Sequence, residues 1–160
     1  MPLSAYMKVT DINGESKAAG HEDEIDLYDI QWLLEQEPRA MIGSGRTRGR
    51  AQINPVYVYK WYDAASPYLA QACMKGKSIE EIVILVRKDS GDAHLDFLQI
   101  TLTNSLISHY EVLGEYEGTK AIHEKVGIAA QKLKVKYIIE AEDHSAGDEH
   151  EIEYDVAAGK

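Results

Sequence analysis

Lys132-Leu133-Lys134-Val135-Lys136-Tyr137-Ile138-Ile139, then a turn at His144-Ser145-Ala146-Gly147-Asp148, then Glu149-His150-Glu151-Ile152-Glu153-Tyr154-Asp155-Val156: this stretch decides how the chain folds. Strand side chains alternate between two faces, so Leu133, Val135, Tyr137 and Ile139 point one way and Lys132, Lys134 and Lys136 the other. The second segment repeats the alternation with opposite charge, setting Ile152, Tyr154 and Val156 against Glu149, Glu151, Glu153 and Asp155. Folded as an antiparallel hairpin, it lays a lysine row beside a glutamate row on the wet face. Each such cross-strand pair contributes about 0.2–1 kcal/mol, and the row as a whole specifies the register.

Working outward, the same period-2 signal recurs with one helix among the strands, the pattern of a sandwich or barrel. Ser4 to Thr10 reads as a first strand ending at Asp11-Ile12-Asn13-Gly14. Glu24 to Glu35 reads as a second. Its apolar phase shifts from Ile25 and Leu27 to Ile30, Trp32 and Leu34, which requires an extra residue near Tyr28 and Asp29. Val56 to Tyr62 (apart from Lys60) and Ile82 to Val86 are apolar on both faces and predict central strands. Leu95 to Thr103 and Leu106 to Leu113 predict a hairpin about Thr103-Asn104-Ser105. A helix is predicted over about Ser66–Lys75, with Ser66 capping, Pro67 in the first turn and Gly76 closing it. Its face of Leu69, Ala72 and Cys73 should dock on the sheet. The fold class is therefore mainly β, a small barrel of two packed antiparallel sheets with one flanking helix, in one domain spanning 1–160.

Bulk properties narrow the function. The 160 residues carry a formal charge of −10. That opposes nucleic-acid binding and adhesion to anionic membranes, both of which depend on positive charge. No apolar run is long enough to cross a bilayer. The single cysteine, Cys73, rules out an internal disulfide framework and reads as a small buried hydrophobe. Met1 to Val9 lacks a basic segment followed by an apolar core, so export is expected to use a route other than a cleaved signal.

Catalytic motifs are missing. There is no G-x-S-x-G elbow, Walker A loop or H-E-x-x-H. Gly43-Ser44-Gly45-Arg46-Thr47-Arg48-Gly49-Arg50 fails as a dinucleotide loop, because Arg48 stands where a glycine is needed and both flanks read as strand. His144 and His150 flank an acidic run that reads as a solvated turn. His109 has no carboxylate placed by local sequence to complete a triad. No cofactor or metal is expected, and no enzyme activity. The outstanding feature is Arg39 to Arg50, which holds four arginines, three glycines and no acid. Arginine forks pair bidentately with carboxylates, and the chain itself supplies acid at Glu22, Asp23 and Glu24 and along Glu149 to Asp155. Self-association follows as an expectation.

Several segments in order resemble the haemolysin-coregulated protein (Hcp) family of type VI secretion. They are Gly14-Glu15-Ser16, His21 and Glu24-Ile25-Asp26-Leu27 with Ile30 and Trp32; Asp63, Ser66-Pro67, Leu69 and Gly76 before Ile82 to Val86; Leu102-Thr103-Asn104 with Ile107-Ser108; and Tyr154-Asp155-Val156. Tyr154 stands where the family pattern leads one to expect tryptophan. The resemblance implies hexameric rings that stack into a tube inside a contractile sheath, fired with a spike protein. It implies that the tube holds small effectors, that the subunit is made in the bacterial cytoplasm, and that it is itself secreted. It also places Arg39, Gly43, Gly45, Arg46, Arg48, Gly49 and Arg50 in a loop facing the adjacent ring, with Glu22, Asp23 and Glu24 as an acidic partner surface. The readings from other classes are a monomeric or small-oligomer ligand-binding barrel and a cytosolic enzyme using His109 or the His144/His150 pair.

Overall fold

The computed structural model describes residues 4–36, 51–91, 93–116 and 119–160. The predicted basic loop from Arg39 to Arg50 lies outside the described residues. The elements are β1 (Ser4–Val9), β2 (Ile25–Gln31), β3 (Leu34–Gln36), β4 (Ala51–Ile53), β5 (Val56–Trp61), α1 (Ser66–Lys75), β6 (Ser78–Ser90), β7 (Ala93–Tyr116), β8 (Thr119–Glu140) and β9 (Ala146–Asp155).

Strands pair in the order β5-β2-β1-β6-β7-β8-β9, and β5 also pairs with β8. That last pairing closes six antiparallel strands into a barrel, with β9 outside it. Closure removes the unpaired edges that an open sheet of this size would expose. One edge of β8 serves two partners in turn. Val126 and Ile128 pair with Val58 and Val56 of β5. Farther along, Leu133 and Val135 pair with Tyr154 and Ile152 of β9. The hairpin that fixes the fold is thus an extension of the barrel wall. Lys132 lies opposite Asp155, Lys134 opposite Glu153 and Lys136 opposite Glu151, which is the expected register. Ion pairs run between Lys134 and Glu151 (3.3 Å) and between Lys136 and Glu149 (3.3 Å).

The core gathers the inward residues of six strands and the helix, among them Met7, Ile25, Val58, Leu69, Ile82, Ile84, Leu102, Ile107 and Ile128. The β2 register slips between Leu27 and Asp29, where the change of apolar phase requires a bulge. The segment Glu24 to Glu35 is nevertheless not one strand. It breaks at Trp32-Leu33, and Leu34–Gln36 pairs instead with Ala51–Ile53 as a separate ribbon. The expectation that Val56 to Tyr62 is buried on both faces also fails. Val56, Val58 and Lys60 are buried, whereas Tyr57, Tyr59 and Trp61 lie on the outer face.

The predicted turn at Thr103-Asn104-Ser105 is not a turn, because β7 runs through it unbroken. The residues keep their turn chemistry and bend the strand instead. Asn104 has φ 52, and the Ser105 hydroxyl donates to the Leu102 carbonyl at 2.8 Å. Inward residues go from Ile100 and Leu102 to Ser105 and Ile107, a step of three in place of two. On β8 the partners Leu133, Ala130 and Ile128 make the same step, so the β7–β8 register is kept. The Asn104 amide donates to Gln131 (3.1 Å) at the kink.

Helix α1 has the predicted bounds, and Gly76 closes it at φ 58 with the Lys77 N–H donating to Ala72 at 3.0 Å. Ser66 does not cap it. Ala65 holds the cap position, and the Ser66 side chain turns inward. Leu69 and Ala72 dock on the barrel as expected.

Gly14 sits where no Cβ fits. A Cβ there would lie 2.6 Å from the Glu24 carbonyl oxygen and 2.8 Å from the Ile25 Cα, both backbone atoms of β2 and its approach. Gly14→Ala should therefore lower the unfolding free energy by about 1–3 kcal/mol, in the range of overpacking. Urea denaturation followed by circular dichroism measures it, and an unchanged midpoint would contradict the close approach.

Candidate assembly surface

The site is built outward from a buried charge. Lys60 was the one charged residue in an apolar strand, and its side chain is fully buried, as is that of Glu124, its register partner across the β5–β8 seam. The Lys60 ammonium donates to Glu124, to the Trp61 carbonyl, to Asp63 (2.9 Å) and to Ser66 Oγ (2.9 Å). The Ser66 hydroxyl reaches Glu124 at 2.5 Å and accepts from the Asp63 N–H at 2.9 Å. The Tyr110 hydroxyl donates to the other Glu124 oxygen. Burial, then the hydrogen bond to Glu124, push the Tyr110 phenol well above its ordinary range, so it remains a donor. This explains why Ser66 abandons the helix cap: its oxygen is needed inside. Glu124 and Tyr110 carried no signal in the sequence, because only the β5–β8 register brings them to Lys60.

The motif residues Gly14, Glu15 and Ser16 hold the β1–β2 connection. The Gly14 and Ser16 N–H groups donate to Asp23 and Glu24, and Glu15 accepts from the Ala64 N–H at 3.0 Å, just before α1. His21 stacks on Tyr6 with ring centroids 4.3 Å apart, and its two nitrogens lie within 3.1 Å of Glu24 and 2.9 Å of Asp96. Glu24 is therefore turned inward, while Glu22 and Asp23 remain exposed.

Beyond the barrel mouth the inner, apolar side of the β8–β9 extension is incompletely covered. Ile152 is 63% exposed and Leu34 51% exposed. Together with Trp32, Ile53, Leu133 and Tyr154 they line an apolar groove of about 320 Å³ between the β3–β4 ribbon and β9. The Trp32 Nε1–H in this groove is buried and finds no acceptor among the described residues. An orphaned donor of this kind costs on the order of 1–3 kcal/mol until something supplies an acceptor. The groove was not anticipated, since alternation marks a strand's apolar face without saying what covers it. Tyr154 takes its place here, and Asp155 caps the C-terminal turn by accepting from the Ala158 N–H at 3.0 Å.

The histidines do not assemble catalysis. His109 meets Glu111 at 3.1 Å, a same-face i, i+2 neighbour that the sequence reading overlooked, but both are exposed. His144 pairs with Glu140 (2.6 Å) and His94 with Asp89 (2.5 Å), at adjacent hairpin tips. Hydrogen bonds from these histidines hold the Glu140 and Asp89 carboxyls below their ordinary range. Among the described residues no three His, Cys, Asp or Glu side chains are grouped to hold a metal ion.

Comparison with known proteins agrees with this architecture. Residues 6–137 match the family model described as "Type VI secretion system effector, Hcp". Protein hcp1 of Pseudomonas aeruginosa is 28% identical over 137 residues, covering 86% of this chain and 84% of that protein. The crystal structure of Hcp1 from Salmonella typhimurium superposes with a TM-score of 0.82 at 25% identity, covering 100% of this chain and 99% of that one. The structure of a type six secretion system protein gives a TM-score of 0.88 at 22% identity, over 99% and 98% of the two chains.

Removing one partner of a buried pair strands the other charge, whereas replacing both removes the problem. Lys60→Met alone should destabilise the protein by about 3–5 kcal/mol, and Lys60→Met with Glu124→Leu by much less. Chemical denaturation of both variants tests this. A double variant at least as unstable as the single would contradict a seam held by mutual neutralisation.

Proposed function

The chain belongs to the Hcp family of type VI secretion proteins, and on that premise we propose that it is a non-catalytic subunit of the secretion tube, closing into hexameric rings that stack. The observation that carries this reading is the uncovered apolar groove of Trp32, Leu34, Ile53, Leu133, Ile152 and Tyr154. A contiguous exposed apolar surface with an unsatisfied donor is the mark of an interface, not of a free surface. A neighbouring subunit supplies both the cover and an acceptor for Trp32. The charged outer face of β8 and β9 stays wet, toward solvent or the lumen. Small effectors ride in that lumen, a contractile sheath and a spike protein are the outer and terminal partners, and the subunit is itself secreted.

Between Gln36 and Ala51, which pair with each other, the chain leaves the β3–β4 ribbon as the arginine-rich loop. Arg39, Gly43, Gly45, Arg46, Arg48, Gly49 and Arg50 meet the next ring, and Glu22 and Asp23 are free to receive them. Exposed pairs are worth only about 0–1 kcal/mol each, so the contact relies on its repetition around the ring.

Purified protein should sediment near six times 17.9 kDa without added cofactor. Ile152→Glu should reduce it to monomers, because a carboxylate would be buried in the groove. Arg46→Glu with Arg48→Glu should leave rings intact and abolish tubes. A wild-type monomer at micromolar concentration would sink the ring reading, and rings in the Ile152 variant would move the interface elsewhere.

A further inference from the structure

The turns joining β6 to β7 and β8 to β9 lie side by side at one end of the barrel. Glu140 links them, accepting from Ser90 Oγ at 3.5 Å and lying 3.7 Å from the Lys88 ammonium. Each tip carries a histidine on a carboxylate. His94 Nδ1 meets Asp89, which also pairs with Arg87 (3.0 Å) and accepts from Ser4 of β1 at 3.3 Å. His144 Nδ1 meets Glu140, with Asp143 on its own turn held by Ser145 at 2.5 Å. His144 sits at φ 66, a left-handed backbone that a residue with a Cβ seldom adopts and that turns its ring back toward β8. Both histidines are about half exposed.

Resting on the ring reading above, we infer that these joined tips form a proton-responsive face on which the opposite end of a second ring docks. With neutral histidines the tips hold Asp89, Glu140, Glu142, Asp143 and Asp148 against Arg87 and Lys88, an acidic face on a chain of charge −10. Like-charged rings repel within a screening length of about 8–10 Å at physiological salt. Histidine gains charge between about pH 8 and 5. Protonating all six adds six positive charges to −10, leaving −4. Asp89 and Glu140 do not lose their charge in the same interval, because their histidine partners hold them low. By the sign of linkage, that pairing is present above the ordinary carboxylate range and lost only in stronger acid. Mild acid therefore converts an acidic face into one of alternating sign. The opposite end of the barrel offers exposed Val112 and Ile122 beside Glu111, a surface that such a face can meet head to tail. A heterologous contact of this kind does not close and propagates as a filament.

The experiment is electron microscopy with sedimentation at constant ionic strength, at about pH 7.5 and about pH 5.5, which bracket histidine protonation. Wild-type protein should be single rings at the higher pH and stacks at the lower, with a rise of about twofold or more in weight-average mass, the smallest stack being two rings. His94→Gln with His144→Gln should form normal rings and lose the rise. Stacking of that double variant equal to wild type at the lower pH would overturn the inference, as would wild-type rings indifferent to pH. Wild-type particles that are never annular would overturn the ring reading and this inference with it.

Discussion

The structure depends on how β5 meets β8. That seam closes the barrel, and inside it Lys60 faces Glu124 with no water to screen either. Two charges brought into such a place lose hydration worth several kcal/mol each, and good geometry with further hydrogen bonds is what offsets it. Asp63, Ser66, Tyr110 and the Trp61 carbonyl supply those bonds. Because Ser66 and Asp63 lie at and before the helix start, the same network fixes α1 to the wall. A one-residue slip of β5 would carry Lys60 out and leave Glu124 alone in the core. The pair thus sets the register as much as it adds stability.

Closure at the seam also determines what is left uncovered. β5 occupies only the first part of β8's edge, and the rest passes to β9, beyond the barrel. There the kink at Asn104 and Gln131 has already moved the apolar set to the other parity, so Leu133, Ile152 and Tyr154 continue the inner face past the point where the core can cover them. The outer face keeps its lysine and glutamate rows. The chemistry on offer is consequently a surface, apolar on one side and charged on the other, with its histidines dispersed over strands and tips. Such a surface suits a building block that associates with copies of itself.

How much of this was legible in the sequence depended on the range of the interaction. The β8–β9 register, the bulge near Asp29 and the helix from Ser66 to Lys75 follow from local patterning, because neighbours along the chain determine them. Misreadings occurred where a distant partner overrode a local signal. Ser66 looked like a cap until Glu124, 58 residues away, took its hydroxyl. Thr103-Asn104-Ser105 looked like a turn, but pairing on both sides of β7 carried the chain through it. Leu34 looked like the end of one long strand, while a return pairing with Ile53 made it a ribbon. The groove was invisible for a related reason: it is made of four strands and the gap between them.

The most direct test of the account is a cryo-electron microscopy reconstruction of the purified particle at side-chain resolution. The account predicts an annulus in which Leu34, Ile53, Ile152 and Tyr154 are buried at the subunit boundary and the Trp32 indole N–H donates to an oxygen of the neighbouring chain. An annulus in which that groove opens to solvent, or a particle with no repeated subunit boundary at all, would contradict it.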